Sequence, residues 1–125
     1  MAPRRGVISM PRDIIVLKFK SEDELREMIN YMIETDSIIT KIKIEDCHLT
    51  KRAFDLLAEQ YGHKITGLAF TGNNLHDSDL ESLFKLQNLT SLHIGERYIR
   101  DVSKYYNFVQ NNRIRLQMNT LLQKK

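Results

Sequence analysis

Two kinds of apolar pattern alternate along this chain. Short segments with apolar residues at their first, fourth and sixth positions, such as residues 39–44 and 65–70, end in the alternation that predicts strands with one buried face. Between them, apolar residues recur at the i, i+3, i+4, i+7 spacing of an amphipathic helix. Residues 22–34 show this spacing most clearly, and their helical face carries Leu25, Met28, Ile29, Met32 and Ile33. The alternation predicts an α/β chain in which each strand is followed by a helix.

A longer spacing recurs around the strand segments. Three copies match the pattern L-x-x-L-x-L-x-x-N/C-x-L: residues 39–49, 65–75 and 89–99. The ninth position holds Cys47, Asn73 and Arg97 in these three copies. Weaker copies begin at residues 14 and 111, so that successive starts lie 25, 26, 24 and 22 residues apart. Repeats of this length, with degenerate copies at both ends, favour strand–helix units stacked on one continuous core.

Residues that cap helices precede the helical segments. Ser21, followed by Glu24, has the sequence of a capping box, and Thr50 precedes the second helical segment. Asp77 and Asp101 are predicted to cap the third and fourth. The third helix is expected to bury three apolar side chains, those of Leu80, Leu83 and Phe84.

The two end copies are assigned by the same pattern. In the first, the strand positions are Ile14, Leu17 and Phe19. In the last, they include Ile114 and Leu116, with Asn119 at the ninth position. Residues 101–122 have an alternative, one long terminal helix. The alternation of Ile114, Leu116 and Met118 favours a helix followed by a fifth strand.

These segments resemble the leucine-rich-repeat superfamily over residues 14–122. Cys47, followed by Leu49 and Thr50, is similar to its cysteine-containing and ribonuclease-inhibitor-like subclasses. The resemblance implies an α/β solenoid with about five parallel strands on the concave face and helices on the convex face. It also implies structural roles for Cys47, Asn73 and Asn119, which would hydrogen-bond backbone inside the turn. We accordingly expect a flexible N-terminal segment (1–12), one repeat domain (13–122) and a basic tail (123–125).

Charge is distributed unevenly along the chain and across the expected fold. The net charge of +3 hides basic ends, with +4 over residues 1–20 and +6 over 97–125, and a middle of −7. In such a repeat the third, fifth and seventh positions point outward from the sheet. They place six cations, one acid (Glu45) and small central residues on the concave face. The candidate binding residues there are Lys18, Lys20, Lys41, Lys43, Thr71, His93, Arg113 and Arg115.

No constellation in the sequence indicates catalysis, a metal site or a cofactor. Four scattered histidines lack the close spacing of metal ligands, and only Cys47 and His48 are adjacent. Cys47 is a poor nucleophile because its repeat position points inward. Asp77 and Asp79 are better explained by a helix N-terminus than by acid–base chemistry. We therefore expect a protein that is not an enzyme.

The resemblance and the cation cluster together indicate a protein-interaction module or adaptor that binds an acidic protein partner on the concave face. Two alternatives stay open, a structural or assembly subunit of a larger complex and nucleic-acid binding through basic strands and tails. Charged strand residues that serve only solubility are a third explanation of the same pattern.

The single cysteine favours the cytoplasm or another reducing compartment, with a mitochondrial location and delivery as an effector also open. No apolar run is long enough to span a membrane, and the oligomeric state is not predicted.

Overall fold

The structure, a computed structural model, describes residues 13–35 and 38–118 of the 125-residue chain. These residues form one five-stranded sheet in which every neighbouring pair is parallel and the strands follow sequence order. The strands are β1 (Ile14–Leu17), β2 (Lys41–Glu45), β3 (Gly67–Thr71), β4 (Ser91–Gly95) and β5 (Arg115–Met118). The α/β class and the strand-then-helix order are thus as predicted.

The connections between strands are helical, as parallel neighbours require. They contain α1 (Glu22–Glu34), α2 (Lys51–Tyr61) and α3 (Tyr106–Asn111), together with 3₁₀ segments at Gly62–Lys64, Asp77–Lys85 and Ser103–Tyr105. Helix α2 packs between α1 and the segment Asp77–Lys85. Residues 101–118 are therefore a short helical region and a fifth strand, and the alternative of one long helix is wrong over these residues.

Alternating side chains of the strands separate the core from the surface. Two buried or partly buried rows run across the sheet, and each contains one residue from every strand. The first row is Ile15, Ile42, Leu68, Leu92 and Leu116, and the second is Leu17, Ile44, Phe70, Ile94 and Met118. Because neighbouring residues in a strand point to opposite faces, the residues between these rows point away from the helices.

The first two helices begin where the sequence predicts. The hydroxyl of Ser21 accepts a hydrogen bond from the N–H of Glu24 (3.2 Å), and the Glu24 carboxylate accepts from the N–H of Lys20 (2.7 Å). This differs from a standard capping box, in which the carboxylate would bind the N–H of the cap residue itself. Thr50 caps α2 by accepting from the N–H of Ala53 (3.1 Å). These bonds satisfy N–H groups that have no partner within the helix.

The third helical segment differs from the prediction in geometry. Asp77–Lys85 is a 3₁₀ helix, whose three-residue turn places Leu80, Leu83 and Leu86 in line, all buried. Phe84 falls outside that line and is 42% exposed, so its predicted burial is wrong. The expectation that Asp77 caps its own helix is also wrong, because its carboxylate accepts from the N–H of Arg100 (2.8 Å) in the next unit.

Both end copies lie two residues away from their predicted register. Ile14 pairs with Lys41, where the repeat pattern had aligned it with Ile39, and Arg115 pairs with Ser91. Equivalent positions therefore recur every 27, 26, 24 and 24 residues. A shift of two residues keeps every side chain on its predicted face and moves it along the strand.

Candidate functional site

The side chains that point away from the helices form the candidate site, here called the outer face. It is formed by Ile14, Val16 and Lys18; Lys41, Lys43 and Glu45; Gly67, Ala69 and Thr71; Ser91, His93 and Gly95; and Arg115 and Gln117. Lys18 follows β1 and comes within 4.0 Å of Glu45, which places it level with the ends of the neighbouring strands. Strand pairing thus collects on one surface residues that are up to 103 positions apart in sequence, from Ile14 to Gln117.

A shallow depression of about 190 Å³ lies at the centre of the outer face. Its floor is formed by Gly67 and Ala69 of β3, whose side chains are among the smallest on this surface. Lysines 41 and 43 of β2 form one wall, and Ser91 and His93 of β4 form the other. The depression exists because β3 contributes almost no side-chain volume between two strands that do.

Acidic side chains occupy part of this surface. Lys43 lies 3.1 Å from Glu45, whose carboxylate also approaches Lys18, and Lys41 lies 2.8 Å from Asp13. The hydrogen bond from Lys41 lowers the pKa of Asp13 below its usual value. The four cations of the face, Lys18, Lys41, Lys43 and Arg115, thus stand against two acids. The face is basic, but less so than the six-to-one ratio that the sequence predicted.

Two predicted binding residues lie away from the positions assigned to them. Lys20 follows the end of β1 and belongs to the start of α1, where its N–H binds the Glu24 carboxylate. Arg113 lies in the turn before β5 with a φ of 56°, so it is not a strand residue. Both corrections follow from the two-residue shift of the end copies. Thr71 is exposed at the end of β3 and His93 is half-buried beside the depression, as their repeat positions require.

The chain was compared with models of protein families, with curated proteins and with solved structures, and nothing matches it. Within residues 13–35 and 38–118, no three His, Cys, Asp or Glu side chains are grouped closely enough to hold a metal ion. The same residues contain no helix that is both long and apolar enough to cross a membrane.

A buried polar ladder lies where the strands turn into their helical connections. The Cys47 N–H donates to Oδ1 of Asn73 (2.8 Å), and Nδ2 of Asn73 donates to the Ile44 carbonyl (2.8 Å). The Cys47 sulfur in turn accepts from the N–H of Phe19 (3.2 Å). Cys47 and Asn73 therefore hydrogen-bond backbone groups of neighbouring units. Without these partners, the backbone groups would be buried and unpaired, which costs free energy. Asn119, assigned the same role, lies outside the described residues.

Sequence reasoning missed Glu96, the third member of the ladder. Its side chain is fully buried and accepts from the Asn73 N–H (2.9 and 3.1 Å), from Asn73 Nδ2 (3.0 Å) and from the Leu75 N–H (3.2 Å). The repeat pattern assigned this role to the ninth position, where Arg97 is exposed. Glu96 stands one residue earlier and supplies the acceptors that Arg97 lacks.

The opposite, helical side carries a separate network of ion pairs. Hydrogen bonds from Ser82 and Lys51 lower the pKa of Asp55, and Lys85 bridges that carboxylate and Glu59. The pKa of Lys85 is raised, chiefly by its hydrogen bond to Glu59. Most acids of the chain's middle segment are thus on the helices, and the outer face keeps more cations than acids.

Proposed function

We propose that this chain is a non-catalytic protein-binding module of the leucine-rich-repeat type whose outer face is the concave binding face. Support for the repeat comes from the regular parallel register and from the position of Cys47 and Asn73 at the strand-to-helix turns. Each unit contributes one strand to the same surface, so a partner that crosses the strands contacts several units at once.

The central depression is the observation that carries this proposal. A row of small side chains, Gly67 and Ala69, runs between the lysines of β2 and the polar residues of β4. An extended partner segment can lower one side chain into it while its neighbours reach the surrounding cations. The volume of about 190 Å³ is below the roughly 300–1,000 Å³ of small-molecule sites. The depression therefore suits one side chain of a macromolecule better than a whole cofactor.

The charges of the face favour an acidic segment. Glu45 and Asp13 already occupy positions beside the lysines, and exposed pairs of this kind contribute only about 0–1 kcal/mol. A partner carboxylate can therefore replace either acid at small cost. Because three of the four cations, Lys18, Lys41 and Lys43, are paired in this way, we expect charge to select the partner and speed association more than to supply the affinity.

Charge reversal on the face tests the proposal. The variant Lys41→Glu/Lys43→Glu should lose proteins that the unaltered chain retains in affinity purification with mass spectrometry. The matched control is Lys51→Glu/Lys104→Glu on the helical side, since all four lysines have similar exposure and each pairs with an acid.

A second variant tests the depression independently of charge. Ala69→Tyr fills it from the floor, where the side chain already points outward, so the fold should tolerate the change. Partners lost from both outer-face variants and kept by the control would support the proposal. Equal retention by all variants, or capture that disappears on nuclease treatment, would contradict it, the latter in favour of nucleic-acid binding.

A further inference from the structure

The first edge of the sheet presents a second surface, which shares only Val16 with the outer face. Among the described residues, β1 pairs with β2 alone, so its other edge has no neighbouring strand. A groove of about 520 Å³ runs between this edge and α1. Its apolar lining comprises Ile15, Val16, Leu17, Met28, Tyr31 and Met32. Edges of this kind are ready to pair with another strand unless something blocks them.

Large apolar groups are exposed along the groove. The Tyr31 side chain is 68% exposed and Val16 is 42% exposed, although each adjoins buried neighbours. Helix α1 presents Glu24, Glu27, Met28 and Tyr31 to this end of the fold, and their i, i+3, i+4, i+7 spacing places them in one stripe. An apolar patch with a charged rim is typical of a surface that binds another chain.

The charges along the groove determine what kind of chain fits. Among the described residues, its lining includes the carboxylates of Glu24 and Glu27 and no cation. The whole of α1 carries five acids and one arginine. A second copy, paired edge to edge about a two-fold axis, would bring two such helices together and add like charges. A basic and apolar segment fits the same groove without that repulsion.

We propose that the edge of β1 and the stripe on α1 bind an extended basic and apolar segment of a partner protein by adding a strand to the sheet. Its main chain hydrogen-bonds the β1 edge, as in other strand additions. Every second side chain points toward α1, where basic groups meet Glu24 and Glu27 and an apolar group covers Tyr31. The partner proposed for the outer face is acidic, so the two surfaces would select opposite charges. The inference at the β1 edge does not depend on the proposed function.

Binding of designed peptides to the full chain, followed by fluorescence anisotropy, tests the inference. The probes are Thr-Lys-Thr-Lys-Thr-Ile-Thr-Ile-Thr and its reverse, which cover both strand directions. We expect one of them to bind, and its counterpart with Glu in place of Lys to bind at least about tenfold more weakly. N-methylation of the peptide main chain on the β1 side should abolish binding, whereas methylation on the other side should not.

Variants of the protein locate the binding site. Glu27→Lys and Tyr31→Ala should each weaken binding, while Glu34→Lys on the same helix and Tyr106→Ala at the far end serve as matched controls. Both α1 residues are exposed, so the fold should tolerate their replacement. Failure of both peptides to bind, or equal effects of test and control variants, would overturn the inference. So would a dimer of the chain, seen by light scattering, that Tyr31→Ala dissociates.

Discussion

The buried carboxylate of Glu96 gives the sharpest test of how this fold is held together. It accepts hydrogen bonds from three N–H donors, two on Asn73 and one on Leu75, at distances of 2.9 to 3.2 Å. Within residues 13–35 and 38–118 no cation is bonded to it, and its side chain is fully buried. Glu96 therefore stabilises the fold only if these hydrogen bonds outweigh the cost of removing a carboxylate from water.

Replacing Glu96 by alanine should be strongly destabilising. Three buried donors lose their acceptors, and each such loss costs about 1–3 kcal/mol. Because water can enter the space left by the side chain and satisfy some donors, we expect a loss of roughly 3–5 kcal/mol in the free energy of unfolding. That is a large part of the ~5–15 kcal/mol typical of a domain. Glu96→Gln keeps the shape but offers one oxygen to three donors and turns its NH₂ toward them, so about 1–3 kcal/mol should be lost.

Urea denaturation followed by far-UV circular dichroism measures these losses, since the chain has no tryptophan. Glu27→Gln is the control, because Glu27 is exposed and its replacement should change the free energy of unfolding by less than about 0.5 kcal/mol. An unchanged slope with urea concentration would show that the variants alter stability and not the extent of unfolding. If Glu96→Gln were neutral or stabilising, the cost of burying the charge would exceed the worth of the hydrogen bonds, and the reasoning would be wrong.

Three further predictions concern single residues. Burial raises the pKa of Tyr105 from 10.0 to about 12, so the unfolded chain ionises first and stability should fall between those pH values; Tyr105→Phe should flatten that loss in alkaline denaturation curves. Gly72→Ala should cost about 1–2 kcal/mol in thermal unfolding, because Gly72 has a φ of 72° and a Cβ there would come within 2.5 Å of the Asp46 carboxylate. Asn73→Asp would bury a second carboxylate beside Glu96 in place of an amide that donates to it, so urea denaturation at neutral pH should show a loss of about 3 kcal/mol or more, and an unchanged free energy of unfolding would contradict this.

The middle of the fold was predictable from the sequence because several constraints agree there. In the three central copies, the spacing of the apolar residues fixes both the face and the register. Ile42, Leu68 and Leu92 accordingly lie side by side in the sheet, as their shared repeat position requires. The helix caps Ser21 and Thr50 were predictable for a similar reason, since a Ser or Thr directly before an amphipathic segment is typical of an N-cap.

The ends were less predictable because alternation alone does not fix register. Moving a strand by two residues leaves the same side chains inside, so Leu17 is buried under either alignment. What changes is the partner across the ladder and the position of the flanking cations. For this reason Lys20 and Arg113 lie outside the strands of the outer face. The positions predicted for residues at the ends were correspondingly less accurate than those predicted in the middle.

The acids near the candidate site show a second limit of the sequence. Asp13 precedes β1 and has no outward position in the repeat pattern. Glu45 ends β2 and was placed on this face, but the pattern does not show which lysines it contacts. Only the register brings Asp13 to Lys41, 28 residues away in sequence, and Lys18 to Glu45. The predicted cation cluster was right in its residues at the centre and wrong in its net strength.

Glu96 explains why a repeat pattern is a better guide to the core than to the polar groups that hold it. The apolar positions are degenerate, since any aliphatic side chain of the right size fills them. The buried turn, in contrast, requires a hydrogen-bond acceptor at a fixed point in space. A residue next to the consensus position can supply that acceptor if the backbone places its side chain there. The exposed Arg97 at the ninth position offers no acceptor to the turn of the preceding unit, and the adjacent Glu96 accepts from Asn73 and Leu75 of that turn instead. Where a repeat breaks its consensus at a polar position, the compensating group should therefore be sought among the adjacent residues, even when it is charged.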